Sequence, residues 1–201
     1  MSFDGLITKG YGAILADPPW RYEVWSGETK VKRRGHGDAS AAVHYETMSA
    51  EQLAALPVTD LAAADCVLFL WVTWPTLLQA IKLIETWDFT YKTCAFDWTK
   101  ANASQVEMFN DSMEGQMGMG YWTRANSEPC LLATRGKPKR LHGDVRQAII
   151  APRREHSRKP DGVHKRIERL VAGPYLELFA RQQRPNWTVW GNQIDKFKEV
   201  A

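Results

Sequence analysis

Asp17-Pro18-Pro19-Trp20 follows the apolar run Tyr11 to Ala16 and combines a hydrogen-bond acceptor, a rigid turn and an aromatic plate. Those are the parts needed to move a group onto the exocyclic amine of a planar base. The nitrogen of such an amine is a poor nucleophile because its lone pair is delocalised into the ring, so an acceptor must hold its hydrogens. The carboxylate of Asp17 and the carbonyl of Pro18 can each accept one N–H and stabilise the positive charge that develops on attack. That is electrostatic preorganisation rather than covalent catalysis. Pro18 and Pro19 each fix φ at about −65° and remove a backbone donor, so their carbonyls are expected to stay unpaired and point outward. Trp20 is then the plate on which a base stacks. Taken alone, the tetrapeptide reads equally well as a strand-ending turn with an aromatic beside it. Its position directly after a buried-type strand favours a site, because ligands of open α/β sheets bind at the carboxyl ends of strands.

The carboxyl-terminal half offers donors and acceptors of a complementary kind. His156-Ser157-Arg158-Lys159-Pro160-Asp161 precedes a predicted helix, so its backbone amides and Lys159 can hold a carboxylate. Glu177, on the predicted strand Tyr175 to Phe179, can bind two ribose hydroxyls in a bidentate way. Arg181 and the turn Gly191-Asn192-Gln193 add donors suited to ribose and adenine edges. Each of these also has a structural reading, Glu177 and Arg181 as a local ion pair and Asn192 as the cap of a final helix.

These residues must be positioned by alternating elements. Ser49 with Gln52 three residues later forms a capping box before a short helix that Pro57 stops. Val67 to Val72 is an apolar run of buried-strand length, and Leu77, Leu78, Ile81 and Ile84 have helical spacing. Thr90 to Thr99 and Glu128 to Thr134 read as strands, Ile149 and Ile150 hint at another, Asp161 can cap a helix to about Val171, and Trp187 to Trp190 is the last strand, followed by a short amphipathic tail. Arg21 to His44 and Met108 to Tyr121 carry no period and read as loops. The alternation predicts an α/β fold of three layers with a mainly parallel central sheet.

With 201 residues and 44% hydrophobic content, the chain suffices for one well-buried domain, 1–201. Its longest apolar run, Cys66 to Val72, is far short of the roughly 20 residues of a membrane span, and no basic-then-apolar leader opens it, so a cytoplasmic protein without membrane contact is expected. Cys66, Cys94 and Cys130 suit reduced core thiols, and no Cys/His pair has zinc spacing, so no metal is expected. Net charge is only +3, yet Lys and Arg cluster at Lys30, Lys32, Arg33 and Arg34, at Arg135 to Arg140, and at Arg153 to Arg169. Any one cluster reads equally as a solvated face; together they fit phosphate contacts with a polyanion.

In order and spacing, the segments Ala16 to Trp20, His44 to Ser49, Leu68 to Thr73, Trp98 to Lys100, Gly120 to Trp122, Lys159 to Asp161, Ile167 to Leu170, Glu177 to Arg181, Pro185 to Trp187 and Gly191 to Gln193 make a chain that resembles the MT-A70-like family of adenine-N6 methyltransferases, bacterial or phage type. The resemblance covers almost the whole chain. It implies a Rossmann-like methyltransferase fold, S-adenosylmethionine as methyl donor, and adenine in nucleic acid as acceptor, with DNA favoured over RNA. Asp17, Pro18, Pro19 and Trp20 fall on the catalytic loop, and Lys159, Glu177, Phe179, Arg181, Asn192 and Gln193 on cofactor-contacting positions. Tyr45 and Glu128 fall near the target nucleoside. The basic residues Lys30, Lys32, Arg33 and Arg34 are assigned to the nucleic acid. Within this resemblance a catalytically silent nucleic-acid-binding subunit and a different acceptor, a cytosine amine or a protein amide, stay open. So do a monomer, a homodimer and assembly with a partner subunit.

Overall fold

The computed structural model describes residues 3–21, 47–101, 122–123, 125–155 and 158–197. In chain order the elements are β1 (Tyr11–Ala16), α1 (Ala50–Ala54), β2 (Ala62–Trp71), α2 (Leu77–Thr86), β3 (Thr90–Ala101), β4 (Ser127–Arg135), β5 (Ala148–Pro152), α3 (Gly162–Leu170), β6 (Tyr175–Leu178) and β7 (Trp187–Trp190). They build a seven-stranded sheet of order β5-β3-β4-β2-β1-β6-β7. β1 is apolar throughout because it lies inside this sheet, paired in parallel with β2 on one side and with β6 on the other.

The expected parallel sheet has one reversed member. The crossover from β2 through α2 to β3 leaves one strand's width between them, and β4 fills it antiparallel to both. The remaining pairings are parallel. Because β4 runs backwards, its first residues lie beside the last residues of its neighbours, as the pairs Trp71 with Cys130 and Trp98 with Glu128 show. Side chains at the start of β4 therefore reach the edge where the other strands end.

Alternation along each strand sends neighbouring side chains to opposite faces, and the core divides accordingly. Ile14, Ala16, Leu68 and Leu70 pack with Leu53 of α1 and with Leu83 and Ile84 of α2. Ala13, Leu15, Phe69 and Trp71 pack on the other face with Val163 and Ile167 of α3. These are the three layers expected of the fold. Each fully buried Leu or Ile contributes about 1.5–3 kcal/mol relative to exposure. The capping box forms as expected, with the Ser49 hydroxyl accepting the Gln52 N–H at 3.2 Å and the Gln52 carbonyl accepting the Ser49 N–H at 2.8 Å. At the other end of this layer the Trp87 indole donates to the Leu53 carbonyl at 3.1 Å, tying α2 to α1.

Asp161 does not cap α3 with its side chain. Its carboxylate is drawn instead to two guanidinium groups, Arg154 and Arg184, each at 2.5 Å. Residues 191–197 form turns rather than a final helix, so Asn192 has nothing to cap. All three thiols are free, Cys66 and Cys130 buried and Cys94 partly so, and burial pushes the Cys66 thiol up to about 12. Among the described residues no helix is long and apolar enough to cross a membrane, and no group of acidic, His or Cys side chains is placed to hold a metal ion.

Candidate active site

β1 connects towards β2 on one side and is flanked on the other by β6, which the chain reaches only much later. Such a reversal of strand order opens a crevice outside the carboxyl ends of the two strands. Asp17 stands at the end of β1, its N–H donating to the Leu178 carbonyl at 3.4 Å, so it lies directly beside the end of β6. Phe179 leaves β6 at that point with φ of 62°, a left-handed conformation that costs a non-glycine residue of order 1 kcal/mol.

Charges of alternating sign line this edge. The Lys159 ammonium, from the loop before α3, lies 2.8 Å from both oxygens of Asp17 and 3.4 Å from Glu128, the second residue of β4. The other Glu128 oxygen accepts from Lys100, near the end of β3, at 2.5 Å. The four side chains are 17–25% exposed, so they interact in a poorly screened environment. Burial alone would raise the Glu128 carboxyl, but Lys159 and then Lys100 outweigh it and hold it below its usual range. Burial alone would depress the Lys159 ammonium, yet Asp17 and Glu128 raise it above the usual lysine value. The loop lysine, expected to hold a cofactor's carboxylate, thus holds two carboxylates of the protein. The reversed strand explains this, since it carries Glu128 to the edge where Lys159 arrives.

The loop from Asp17 to Trp20 differs from expectation in two further ways. Trp20 is not an open plate: it is 6% exposed, packs in the core on the α1 side, and donates its indole N–H to the Trp71 carbonyl at 2.9 Å. Nor are the proline carbonyls unpaired. Pro18 accepts the Trp20 N–H at 2.8 Å and Pro19 accepts the Met48 N–H at 2.9 Å, which pins the loop to the segment before α1. One lone pair of each carbonyl remains. Rigidity of the loop therefore comes from this lacing as well as from the proline rings.

Two hollows meet at Asp17, Phe179 and Arg181. One, about 480 Å³, lies on the α3 side between Trp71, Lys159, His164 and Glu177. The other, about 1110 Å³ and open to solvent like the first, lies on the α1 side between Pro19, Met48, Gln52, Trp190, Asn192 and Gln193. The turn carrying Asn192 and Gln193 is held close by Gly191, where a Cβ would stand 2.5 Å from the Ala180 carbonyl oxygen. Lys159, Glu177, Phe179, Arg181, Asn192 and Gln193 are thus gathered around Asp17, while Pro18 and Trp20 line neither hollow. Lys30, Lys32, Arg33, Arg34 and Tyr45 lie outside the described residues. Three side chains of this edge carry no role in the sequence reading: Lys100, His164 and Arg184. His164 has a legible signal, since helical spacing puts it beside Val163 and Ile167 on the buried face of α3.

One of the basic clusters lies far from the crevice, and in another most of the guanidinium groups are engaged within the fold although Arg158 and Lys159 line the hollow beside Asp17. Arg135 ends β4, seven residues from Glu128, or roughly 23 Å along a strand at about 3.3 Å per residue. Lys137, Lys139 and Arg140 follow it at the opposite edge of the sheet. In the third cluster Arg154 binds Asp161, Arg158 binds Glu155, Arg166 donates to the carbonyls of Arg146 and Ala148, and Arg169 binds Asp144. These guanidinium groups serve the fold first.

The MT-A70 family model matches residues 11–193. The chain is 34% identical over 206 residues to the Type II methyltransferase M.MunI of Mycoplasma sp, spanning 96% of this chain and 81% of that protein. It is 29% identical to the N(6)-adenosine-methyltransferase MT-A70-like protein of Drosophila melanogaster and 28% identical to the human N(6)-adenosine-methyltransferase catalytic subunit METTL3. Those matches take in 98% and 96% of this chain but only 29% and 30% of the relatives, so the chain spans about a third of their length. The match to the family model runs from the first strand past the last, and the chain belongs to the MT-A70 family.

Proposed function

We propose that this protein transfers a methyl group from S-adenosylmethionine to the exocyclic N6 amine of adenine in nucleic acid, with DNA the favoured polymer. The observation that carries the reading is the meeting of the two hollows at Asp17. An acceptor carboxylate stands where the hollow beside Glu177 and the larger opening beside Asn192 share a wall. The donor set fits the cofactor: the Glu177 carboxylate suits hydroxyls, the Asn192 and Gln193 side chains suit base and ribose edges, and Phe179 supplies an aromatic wall.

When bound, S-adenosylmethionine supplies a methyl group on a positively charged sulfur. Asp17, which borders both hollows, accepts an N–H of the adenine amine. This localises the nitrogen lone pair and stabilises the positive charge that would develop as the nitrogen takes the methyl, the carbon–sulfur bond breaking to leave a neutral thioether and the methylated nitrogen then releasing one proton to water. Lys159 holds both oxygens of Asp17 and so fixes its direction, and Glu128 and Lys100 fix Lys159 in turn. Positioning and charge stabilisation supply the acceleration without a covalent enzyme intermediate. A base paired inside a duplex cannot enter such a crevice, so it is flipped out or taken from a single strand. The preference for DNA is supported by the match to 81% of a Type II methyltransferase, against about 30% of the N(6)-adenosine-methyltransferases.

The test is to incubate the purified protein and labelled donor with matched double-stranded DNA, single-stranded DNA and RNA, digest the products and identify the nucleosides. N6-methyladenine from DNA is expected. Label on RNA alone reverses the choice of polymer, and label on cytosine or on protein replaces the acceptor. Calorimetry without donor binding makes the chain a silent subunit.

A further inference from the structure

His164 stands on the face of α3 that Val163 and Ile167 bury in the core, and it is itself 8% exposed. Its ring meets Trp187 edge-on, centroids 4.8 Å apart at 77°, and Trp187 is held in turn by its indole N–H to Glu168 at 2.8 Å. The ring is therefore fixed in direction. Its Nε2 lies 2.7 Å from one oxygen of Glu177. An ionised carboxylate only accepts, so Nε2 is the nitrogen that carries hydrogen. Nδ1 is buried and has no partner among the described residues. The whole polar capacity of this side chain is thus spent on a single bond to Glu177. A buried imidazole that makes one bond among apolar neighbours contributes little to stability that a Phe of similar shape would not.

The effect on Glu177 is specific. One oxygen is occupied by His164, with the Arg184 Nε at 3.9 Å from the same atom, while no described residue bonds the other, and the carboxylate borders the hollow shared with Asp17. A carboxylate held by one oxygen cannot turn about its last bond, so its second oxygen has one direction to offer. We infer that His164 is a positioning residue for cofactor binding: it presents the free oxygen of Glu177 to a hydroxyl of the methyl donor's ribose. The inference rests on the proposed methyltransferase reading, and it revises the expectation that Glu177 grips two hydroxyls with two free oxygens.

Three variants test it: His164→Phe, which keeps the ring shape against Trp187 without a donor; His164→Gln, whose amide nitrogen reaches as far as Nε2; and His164→Asn, whose amide falls short. Donor affinity is read by calorimetry with S-adenosylmethionine on the full chain, beside melting temperature and the split between KM for the donor and kcat. Expected are a loss of affinity of about tenfold or more in the Phe and Asn variants, a matching rise in KM with kcat little changed, and near wild-type affinity in the Gln variant. Should the Phe variant fail to fold, the contrast between Gln and Asn decides the matter alone. Wild-type affinity in Phe or Asn overturns the positioning role and leaves the methyltransferase reading standing. A wild-type protein that binds no S-adenosylmethionine overturns that reading, and the role of His164 with it.

Discussion

The two edges of the sheet carry charge in opposite ways. At the carboxyl edge Lys100, Glu128, Lys159 and Asp17 are mostly buried, alternate in sign and lie 2.5–3.4 Å apart. At the other edge Lys137, Lys139 and Arg140 are exposed, and the ion pair nearby, Arg169 with Asp144, is more than half exposed on both sides. Charges in water are nearly interchangeable, because solvent screens what each partner contributes. Buried charges are not, because removing one strands the others. Cationic composition taken from a sequence treats the edges alike, yet only the buried one can direct chemistry.

The sharpest way to break this contrast is to remove Asp17. Asp17→Ala takes away the proposed acceptor for the amine, and a loss of turnover of about a hundredfold to a thousandfold or beyond is expected, in line with deleting one preorganised transition-state contact. Donor affinity should change little, since Glu177, Asn192 and Gln193, the groups proposed to hold the cofactor, are untouched. Labelled methyl transfer and calorimetry on the same preparation check both halves. Robust turnover in this variant removes Asp17 from the chemistry.

Lys159→Met tests the buried edge as a unit. It leaves Asp17 and Glu128 without the cation between them, and breaking a buried pair from one side costs about 3–5 kcal/mol, to be read in denaturant unfolding. The pH dependence carries a sign. Because the folded-state Glu128 carboxyl lies below its ordinary 4.5, its stabilising share is fully present above that value and fades as pH falls through the depressed one. The charge of Lys159 is the foremost influence lowering it, so the variant should lose less stability than wild type on acidification below about pH 4.5. An unchanged acid slope would mean that Lys159 does not govern Glu128.

How much of this was legible beforehand follows from the same physics. The apolar run of β1, the capping box at Ser49 and the helical spacing of α2 depend on near neighbours in the chain, and each appears where expected. The acidic loop was legible because its place after a buried strand is local too. The burial of Trp20 is not legible, because an indole after two prolines looks open until Trp71, fifty-one residues on, supplies a carbonyl for its N–H. The roles of Lys159, Glu128 and Lys100 depend on β4 running backwards between β2 and β3, a fact of topology that no local pattern encodes. His164 falls between these cases, its burial readable from spacing and its partner not.

A smaller effect is expected at Asp161, whose carboxyl two arginines, Arg154 and Arg184, hold down to about 2 against the burial that would raise it. Its contribution is fully present above the ordinary 3.8 and lost as pH falls towards 2. Because its side chain is 45% exposed, solvent discounts the pairing, and Asp161→Asn should lower the melting temperature at neutral pH by no more than about 2–4 °C. The difference from wild type should shrink between pH 4 and pH 2, which a series of thermal melts measures. A gap undiminished at pH 2 assigns the loss to packing instead of charge.

The smallest effect belongs to the opposite edge. Replacing Lys137, Lys139 and Arg140 together with Ala removes three positive charges whose neighbours are water, at the edge roughly 23 Å from Glu128 that ends in Arg135. Methylation rate at saturating nucleic acid should stay within about twofold, and melting temperature should hardly move. The more telling quantity is the slope of log affinity against log salt, which counts phosphates neutralised by the protein at about 0.9 per contact on a duplex. An unchanged slope keeps this edge off the substrate. A slope shallower by two or three contacts would instead mean that nucleic acid bends from the crevice across the sheet to its far edge, and the contrast between working and idle charge would have to be redrawn along the path of the phosphates.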